Sequence, residues 1–326
     1  MILKTKLCDL LQVEYPIVQA PIGSATTPEL ASAVSNAGGL GMLAITWSSP
    51  SEVVKLLERT FNLTDRPFGV NVVLEWPQDT RVSLALESGV RIISTTWGDP
   101  TPYLPAVHEA GALLVHTVGS LREALRAAVA GVDVLVAQGV EAGGHVRGAT
   151  SSIDLLASIL ERLPDLPVVL AGGIATARDI VAALSAGAAG VWLGTRFLCS
   201  SEANVSEVYQ QAILDAAEGD TVLTMLFDKG WPGARHRVLR NSTVRAWEAA
   251  GSPEGALRPG EHDTVALTAD GAAIERYSDV IPTRTMTGNL EALALYAGES
   301  AARIHDVRPA GQIIEDLVHG VQQVHR

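Results

Sequence analysis

The sequence predicts an α/β protein: a parallel (β/α)8 TIM barrel with a smaller, mainly helical subdomain after the eighth strand. Three observations predict it. Eight short apolar runs alternate with amphipathic helical patterns across roughly the first 200 residues. Glycines stand at the ends of the last two runs, where barrels of this kind carry ligand loops. The alternation then breaks off after residue 222. The strand count carries most of the weight, and a doubly wound sheet is the runner-up architecture.

The runs read as strands are PIVQA (16–20), LGMLA (40–44), GVNVV (69–73), RIIST (91–95), ALLVHT (112–117), VLVAQ (134–138), PVVLA (167–171) and GVWLG (190–194). They are near-continuously apolar, as parallel strands covered on both faces should be. Helix starts carry their own signals. Ser49-Pro50-Ser51-Glu52 supplies a cap, a proline at the first helical position and an acid at the third. Ser120 with Glu123 and Thr176 with Asp179 repeat the reciprocal capping pattern, and Gly131 and Gly187 stand where those helices should stop.

The domain reading follows from the same pattern. Residues 1–222 form the barrel, completed by a C-terminal helix within 305–326. Residues 223–304 mix helix formers with Gly and Pro breakers and read as the smaller helical subdomain.

Composition bounds the function classes. Lys and Arg number 24 against 36 Asp and Glu, a formal charge of −12, and no basic cluster stands out, so nucleic acid is not an expected partner. No signal peptide is evident and no segment approaches a membrane span, so the expected location is the cytoplasm. Two cysteines, Cys8 and Cys199, make no disulfide framework and fit a reducing compartment. Apart from His145 and His116, the histidines (His108, His236, His262, His305, His319 and His325) are scattered without metal-like spacing.

The most informative stretch is PVVLAGGIATARDIVAALSAGAAGVWLGTRFL, which reads strand, Gly172-Gly173, capped helix, strand, Gly194-Thr195. At the carboxyl ends of the seventh and eighth strands, such glycines let backbone N–H groups reach a phosphate, and Thr195 adds a hydroxyl. The alternative is that they only permit tight strand-to-helix turns. The second stretch is QGVEAGGHVRG (138–148), which places His145 behind Gly143 and Gly144 on the loop after the sixth strand.

These stretches resemble the nitronate monooxygenase family of flavin mononucleotide barrels. YPIVQAPIGSATTPELASAVSNAGGLGML looks like the family's opening, QGVEAGGHVRG like its histidine motif, and AGGIATARDI with GVWLGTRF like its phosphate-binding portion. The ending LYAGESAARIHDVRPAGQIIEDL is also similar. The resemblance implies FMN, with its phosphate at Gly172, Gly173, Gly194 and Thr195. It implies that Ala20, Pro21 and Ile22 line the isoalloxazine through backbone groups. Asn71 and Gln138 match polar flavin-contacting positions, although either amide could instead tie adjacent strand ends together. Gly143 and Gly144 let the chain pass close to the ring.

The resemblance also implies a reaction: oxidation of alkyl nitronates, or neutral nitroalkanes, with dioxygen to carbonyl compounds and nitrite. His145 would abstract an α-proton or hold a nitronate, a task suited to a histidine near its ordinary pKa. Glu141 reads as a loop-ordering residue rather than a second base, and Trp97 and Trp231 as packing residues that could wall the site. The partners are then a small-molecule nitronate and dioxygen, with a homodimer left open as the assembly. Three departures stand out: Ile22 replaces a methionine, His116 and Thr117 stand where many relatives place a lysine, and the Ser94–Pro100 loop differs from the usual segment. Two rivals are weighed. One is an NAD(P)H-dependent flavin reductase of the enoyl-acyl-carrier-protein or quinone reductase type; the other is a non-catalytic flavin-binding barrel.

Overall fold

The structure is a computed structural model that describes residues 3–324, so His325 lies outside the described residues. Eight parallel strands form one sheet: Ile17–Gln19, Gly41–Ala44, Phe68–Val73, Ile92–Thr96, Leu113–Val118, Val134–Gln138, Val168–Ala171 and Gly190–Leu193. The first pairs with the eighth in register Gln19 to Leu193. A parallel bridge between Val18 and Leu40, with the Gln19 N–H donating to the Leu40 carbonyl at 2.9 Å, closes the sheet between its first and second strands. The predicted strands and the barrel are therefore as expected, with ends moved by no more than a residue.

Alternation along the strands separates two apolar layers. Val18, Met42, Ile92, Val115, Val136, Val169 and Trp192 form a cluster with Leu7 and Leu11 of the helix Lys6–Leu11. The Leu7 side chain meets the start of the eighth strand at Gly190, so this helix plugs the amino end of the barrel. The opposite strand faces, including Ile17, Leu43, Val70, Ile93, Leu114, Leu135 and Leu170, meet the surrounding helices. Each fully buried Leu, Ile or Val in these layers contributes roughly 2 kcal/mol by leaving water.

The capping signals are present with one variation. Ser49 and Glu52, and Thr176 and Asp179, form reciprocal capping boxes. Ser120 accepts from the Glu123 N–H, but the Glu123 carboxylate turns to the Gly119 N–H and to Arg147 instead. The C-terminal helix Ala310–Val324 packs on the helices Ala177–Ser185 and Pro28–Asn36, as expected for a segment that completes the ring. Among the described residues no helix is long and apolar enough to cross a membrane.

The segment after the eighth strand departs from expectation: it is not mainly helical. Within 223–304 the one α-helix is Ser242–Ala249, and the remainder is short strands, 3₁₀ turns and loops. The strand His236–Leu239 pairs antiparallel with Thr221–Thr224 on one side and with the two-residue strand Gly144–His145 on the other. A separate three-stranded sheet joins Thr264–Leu267, Ala273–Glu275 and Thr287–Gly288. The physical reason is that Pro232, Gly233, Gly251, Pro253 and Gly255 break the helix formers too often, leaving runs that only strand pairing can satisfy. The expected boundary after 222 runs through the strand Thr221–Thr224. Leu226, Phe227, Val238, Val244 and Tyr277 belong to the same apolar cluster as the outer barrel layer.

Candidate active site

A cavity of about 940 Å³ opens at the carboxyl ends of the barrel strands. It brings together all twelve residues that sequence reasoning assigned to a site: Ala20, Pro21, Ile22, Asn71, Gln138, Gly143, Gly144, His145, Gly172, Gly173, Gly194 and Thr195. Two sides of it are built differently.

One side is backbone. Gly172 and Gly173 have φ of +109° and +70°, a left-handed region that L side chains enter only with strain. A Cβ on Gly173 would also press on the Glu141 side chain at 3.1 Å. Among the described residues, none of the N–H groups of Gly172, Gly173, Gly194 and Thr195 finds an acceptor in the protein. Four free N–H groups on a cavity wall make a receptor for an anion with several oxygens, such as a phosphate. The Thr195 hydroxyl accepts from the Gly298 N–H at 3.0 Å and keeps its own proton to donate. Arg303 donates to the Gly173 carbonyl and pairs with Asp179 at 3.4 Å, holding the glycine turn from outside.

The first-strand residues Ala20, Pro21 and Ile22 border the cavity with their backbone largely engaged in the protein. The Ala20 N–H is taken by the Leu193 carbonyl and the Ile22 N–H by the Thr26 hydroxyl, both at 2.8 Å. The Ala20 carbonyl also accepts from the Gln19 side-chain amide and the Ile22 carbonyl from the Ala25 N–H, so these residues present the cavity chiefly with apolar faces rather than free donors. Asn71 donates to the Ser94 hydroxyl at 3.1 Å, and Gln138 donates to the His145 carbonyl at 3.1 Å. Both amides thus tie neighbouring chain together, and the amide oxygen of each has no partner among the described residues. Gly143 serves close packing, since a Cβ there would collide with the backbone of Ala297 and Gly298.

The other side is aromatic. His145 stacks on Trp231 with ring centroids 4.3 Å apart and lies 5.4 Å from both Tyr296 and His236. Trp231 in turn meets Trp97 at 4.7 Å and Trp76 at 5.0 Å, and Trp76 meets Trp47 at 5.9 Å. Trp97 itself has φ +60°, strained for a bulky residue, and Arg147 lies over its ring at 5.3 Å. Trp97 and Trp231 therefore wall the cavity as well as pack.

This enclosure overturns one expectation about His145. Burial, and then the neighbouring His236, push its pKa down to about 3, so the ring is neutral near pH 7 rather than poised between states. Its Nε2 is sealed from solvent without a hydrogen-bond partner. His236 is pushed down to about 4, again chiefly by burial. Its Nε2 accepts from the Phe227 N–H at 3.2 Å and its Nδ1 lies 2.9 Å from the Ala234 carbonyl, so the proton sits on Nδ1.

The loop bearing His145 is clamped from the post-barrel segment. Val146 donates to the Arg235 carbonyl at 2.8 Å, and the Arg237 guanidinium donates twice to the Val140 carbonyl. Glu141 orders this loop as expected, accepting from the Ser152 N–H at 2.9 Å. His116 borders no part of the cavity: it is buried between strand and helix layers, with Nδ1 2.8 Å from the Thr95 hydroxyl.

The charge of the cavity is its least expected property. Among the described residues its lining holds no Lys or Arg, and its only carboxylates are Glu52 and Asp279. Glu52 is committed to the Ser49 cap. Asp279 is held above the usual carboxylate range, at about 6, by burial. Sequence reasoning missed Asp279, His236, Tyr296 and Trp76: the fold brings His236 and Tyr296 beside His145, Trp76 against Trp231 and Asp279 to the cavity wall, and only Tyr296 lies in a stretch that the family resemblance covers.

The family model for nitronate monooxygenase matches residues 4–80 and 75–320. The chain is similar to the (3aS,4S,5R,7aS)-5-hydroxy-7a-methyl-1-oxo-octahydro-1H-indene-4-carboxyl-CoA dehydrogenase of Mycobacterium tuberculosis, 32% identical over 98% of this chain and 96% of that protein. Among solved structures it is similar to FabK from Thermotoga maritima, with TM-score 0.83 and 32% identity, covering 99% of this chain and 97% of that one. It is also similar to the nitroalkane oxidase of Streptomyces ansochromogenes, with TM-score 0.79, 28% identity and 98% coverage of each. The chain is an oxidoreductase and belongs to the nitronate monooxygenase family.

Proposed function

We propose that the protein is an FMN-dependent enzyme that oxidises alkyl nitronates and nitroalkanes with dioxygen to carbonyl compounds and nitrite. The reaction balances as two nitronates and one dioxygen giving two carbonyl compounds and two nitrite ions. The observation that carries the reading is the joining of free backbone N–H groups to the His145 wall in one cavity. The donor set fits FMN. The N–H groups of Gly172, Gly173, Gly194 and Thr195 would hold its phosphate, with the Thr195 hydroxyl. The free amide oxygens of Asn71 and Gln138 would accept from the ring edge, while Ala20, Pro21, Ile22, Gly143 and Gly144 would border it. Bound there, the flavin would supply electron transfer and reaction with dioxygen.

The protein's own part is positioning. A neutral His145 offers a nitro or nitronate oxygen one N–H without adding charge. The tryptophan wall excludes water and favours an apolar substrate body. With no cation in the lining, a second negative charge on the substrate has nothing to meet it. Anaerobic ethylnitronate should therefore reduce the bound flavin faster than the doubly charged propionate 3-nitronate. Flavin that stays oxidised with both while NADH or NADPH reduces it removes the reading. His145→Ala should lower turnover by about 100-fold or more with flavin still bound, in the range of acid–base and hydrogen-bonding groups. Unchanged turnover with flavin still bound would instead point away from a role for His145 in the chemistry, and absence of turnover in the wild type would favour a barrel that only binds the cofactor.

A second reading has an observation behind it: the aromatic cavity without Lys or Arg suits a neutral acyl thioester, and FabK and the mycobacterial dehydrogenase match this chain over nearly its full length. NAD(P)H-driven flavin reduction followed by reoxidation with an enoyl thioester would select it.

A further inference from the structure

Four of the chain's six tryptophans gather at one wall of the cavity. Trp231, Trp97 and Trp47 line it, and Trp76 links Trp231 to Trp47. From His145 the contacts run to Trp231, then to Trp97 on one branch and through Trp76 to Trp47 on the other. The fold covers these rings unequally. Trp231 is buried with Val73 and Ala234, and Trp76 and Trp97 are half-buried against the same cluster. Trp47, at the outer end, is 59% exposed.

The exposure of Trp47 does not come from a loose turn. The Thr46 hydroxyl accepts from the Val73 N–H at 3.0 Å, and the Ser48 N–H donates to the Ile45 carbonyl at 3.2 Å. A large ring is thus held in place, open to water, at the end of a row that leads to His145. Apolar surface of this kind, continuous with a cavity, marks a place for an apolar ligand rather than scattered surface hydrophobicity. Leu56, on the helix Pro50–Leu63 that follows the turn, lines the same cavity.

We infer that this row is a subsite for the body of the substrate, a neutral molecule with an extended apolar tail. The reacting group sits at His145, and the tail lies along Trp231 and Trp97 toward Trp47. This rests on the reading that His145 holds the reacting group. A two-carbon tail starting there covers Trp231 and leaves the rest of the row wet. The charges nearby do not call for an anionic tail: Arg147, over Trp97, is paired with Glu123 at 2.7 Å, and Glu52 is spent on the Ser49 cap. Trp47 is then a specificity-determining residue, because only a tail that passes the inner rings reaches it.

Chain length tests the subsite. Straight-chain primary alkanols from ethanol to 1-decanol are titrated into the flavin-loaded protein by calorimetry. The matching primary nitronates are mixed with it anaerobically while flavin reduction is followed. Affinity in both series should rise about fourfold per methylene, as for burial of a CH₂ group, and level off once the tail passes Trp47 into water. Trp47→Ala should cost the octyl members about tenfold, with a loss that shrinks as the chain shortens, and Trp47→Phe should recover part of it. A flat wild-type series, or a Trp47→Ala loss equal at every length, overturns the subsite. If the variant does not fold, the wild-type series decides alone. A chain-length gain with alkanols in a protein whose flavin no nitronate reduces would keep the subsite and remove the oxidation reading. Reduction by ethylnitronate without any gain in either series would do the reverse.

Discussion

The glycine side and the aromatic side of the cavity solve opposite problems. The glycine side removes side chains so that N–H groups stay free, and its residues sit within two short stretches, 172–173 and 194–195. The aromatic side crowds side chains together so that a histidine is stripped of water, and it draws on residues 76, 97, 145, 231 and 296. The difference teaches that the free N–H groups are a property of local backbone, whereas the tuning of His145 is a property of the whole fold. Changes on one side should affect cofactor retention, and changes on the other should affect titration and chemistry.

The largest effect expected from this contrast is on acid stability. His145 and His236 have folded pKa values of about 3 and 4, below the ordinary 6.5. A depressed folded pKa gives stability that is full above the unfolded pKa and is lost as pH falls toward the folded one. Stability should thus drop by about 1.4 kcal/mol per pH unit for each of these histidines as pH falls below about 6.5. Urea unfolding at a series of pH values measures the slope; a stability independent of pH between about 7 and 5 would break the picture of a dry aromatic wall.

Next in size, Trp231→Ala removes the ring that covers His145. It should cost about 3–5 kcal/mol of stability and raise the His145 pKa toward the ordinary value, as read by imidazole NMR titration. Flavin should stay bound. Loss of flavin with an unmoved histidine pKa would reverse the assignment of the two sides.

The smallest effect belongs to the glycine side. Gly173→Ala puts a side chain at φ +70° and against Glu141. It should weaken FMN binding by about tenfold, since left-handed backbone costs an L residue about 1–2 kcal/mol. Flavin fluorescence titration measures it, and the pKa of His145 should not move.

The same contrast explains what the sequence could reveal. The barrel strands were legible because their apolar runs are local, and Gly172, Gly173, Gly194 and Thr195 because a strand end and its turn lie side by side in the chain. The position of His145 was legible from its loop, but its pKa was not: nothing near QGVEAGGHVRG announces Trp231 or His236. The post-barrel strand His236–Leu239 was misjudged for the same reason, because its partners Gly144–His145 and Thr221–Thr224 are set by the fold. Asp279 carries no motif, and its place at the cavity is set by Gly230 and Tyr296 beside it.

One short turn has a consequence for how the protein is made. Gly298 donates to Thr195 and packs against Gly143, and Arg303 five residues later grips the Gly173 carbonyl. Three mouth loops from the first two-thirds of the chain are thus gathered by a piece near its end. During synthesis the strands can pair early, yet the cavity mouth is finished only when residues 298–303 emerge. If the site holds flavin as proposed, its uptake should accordingly follow the synthesis of that piece.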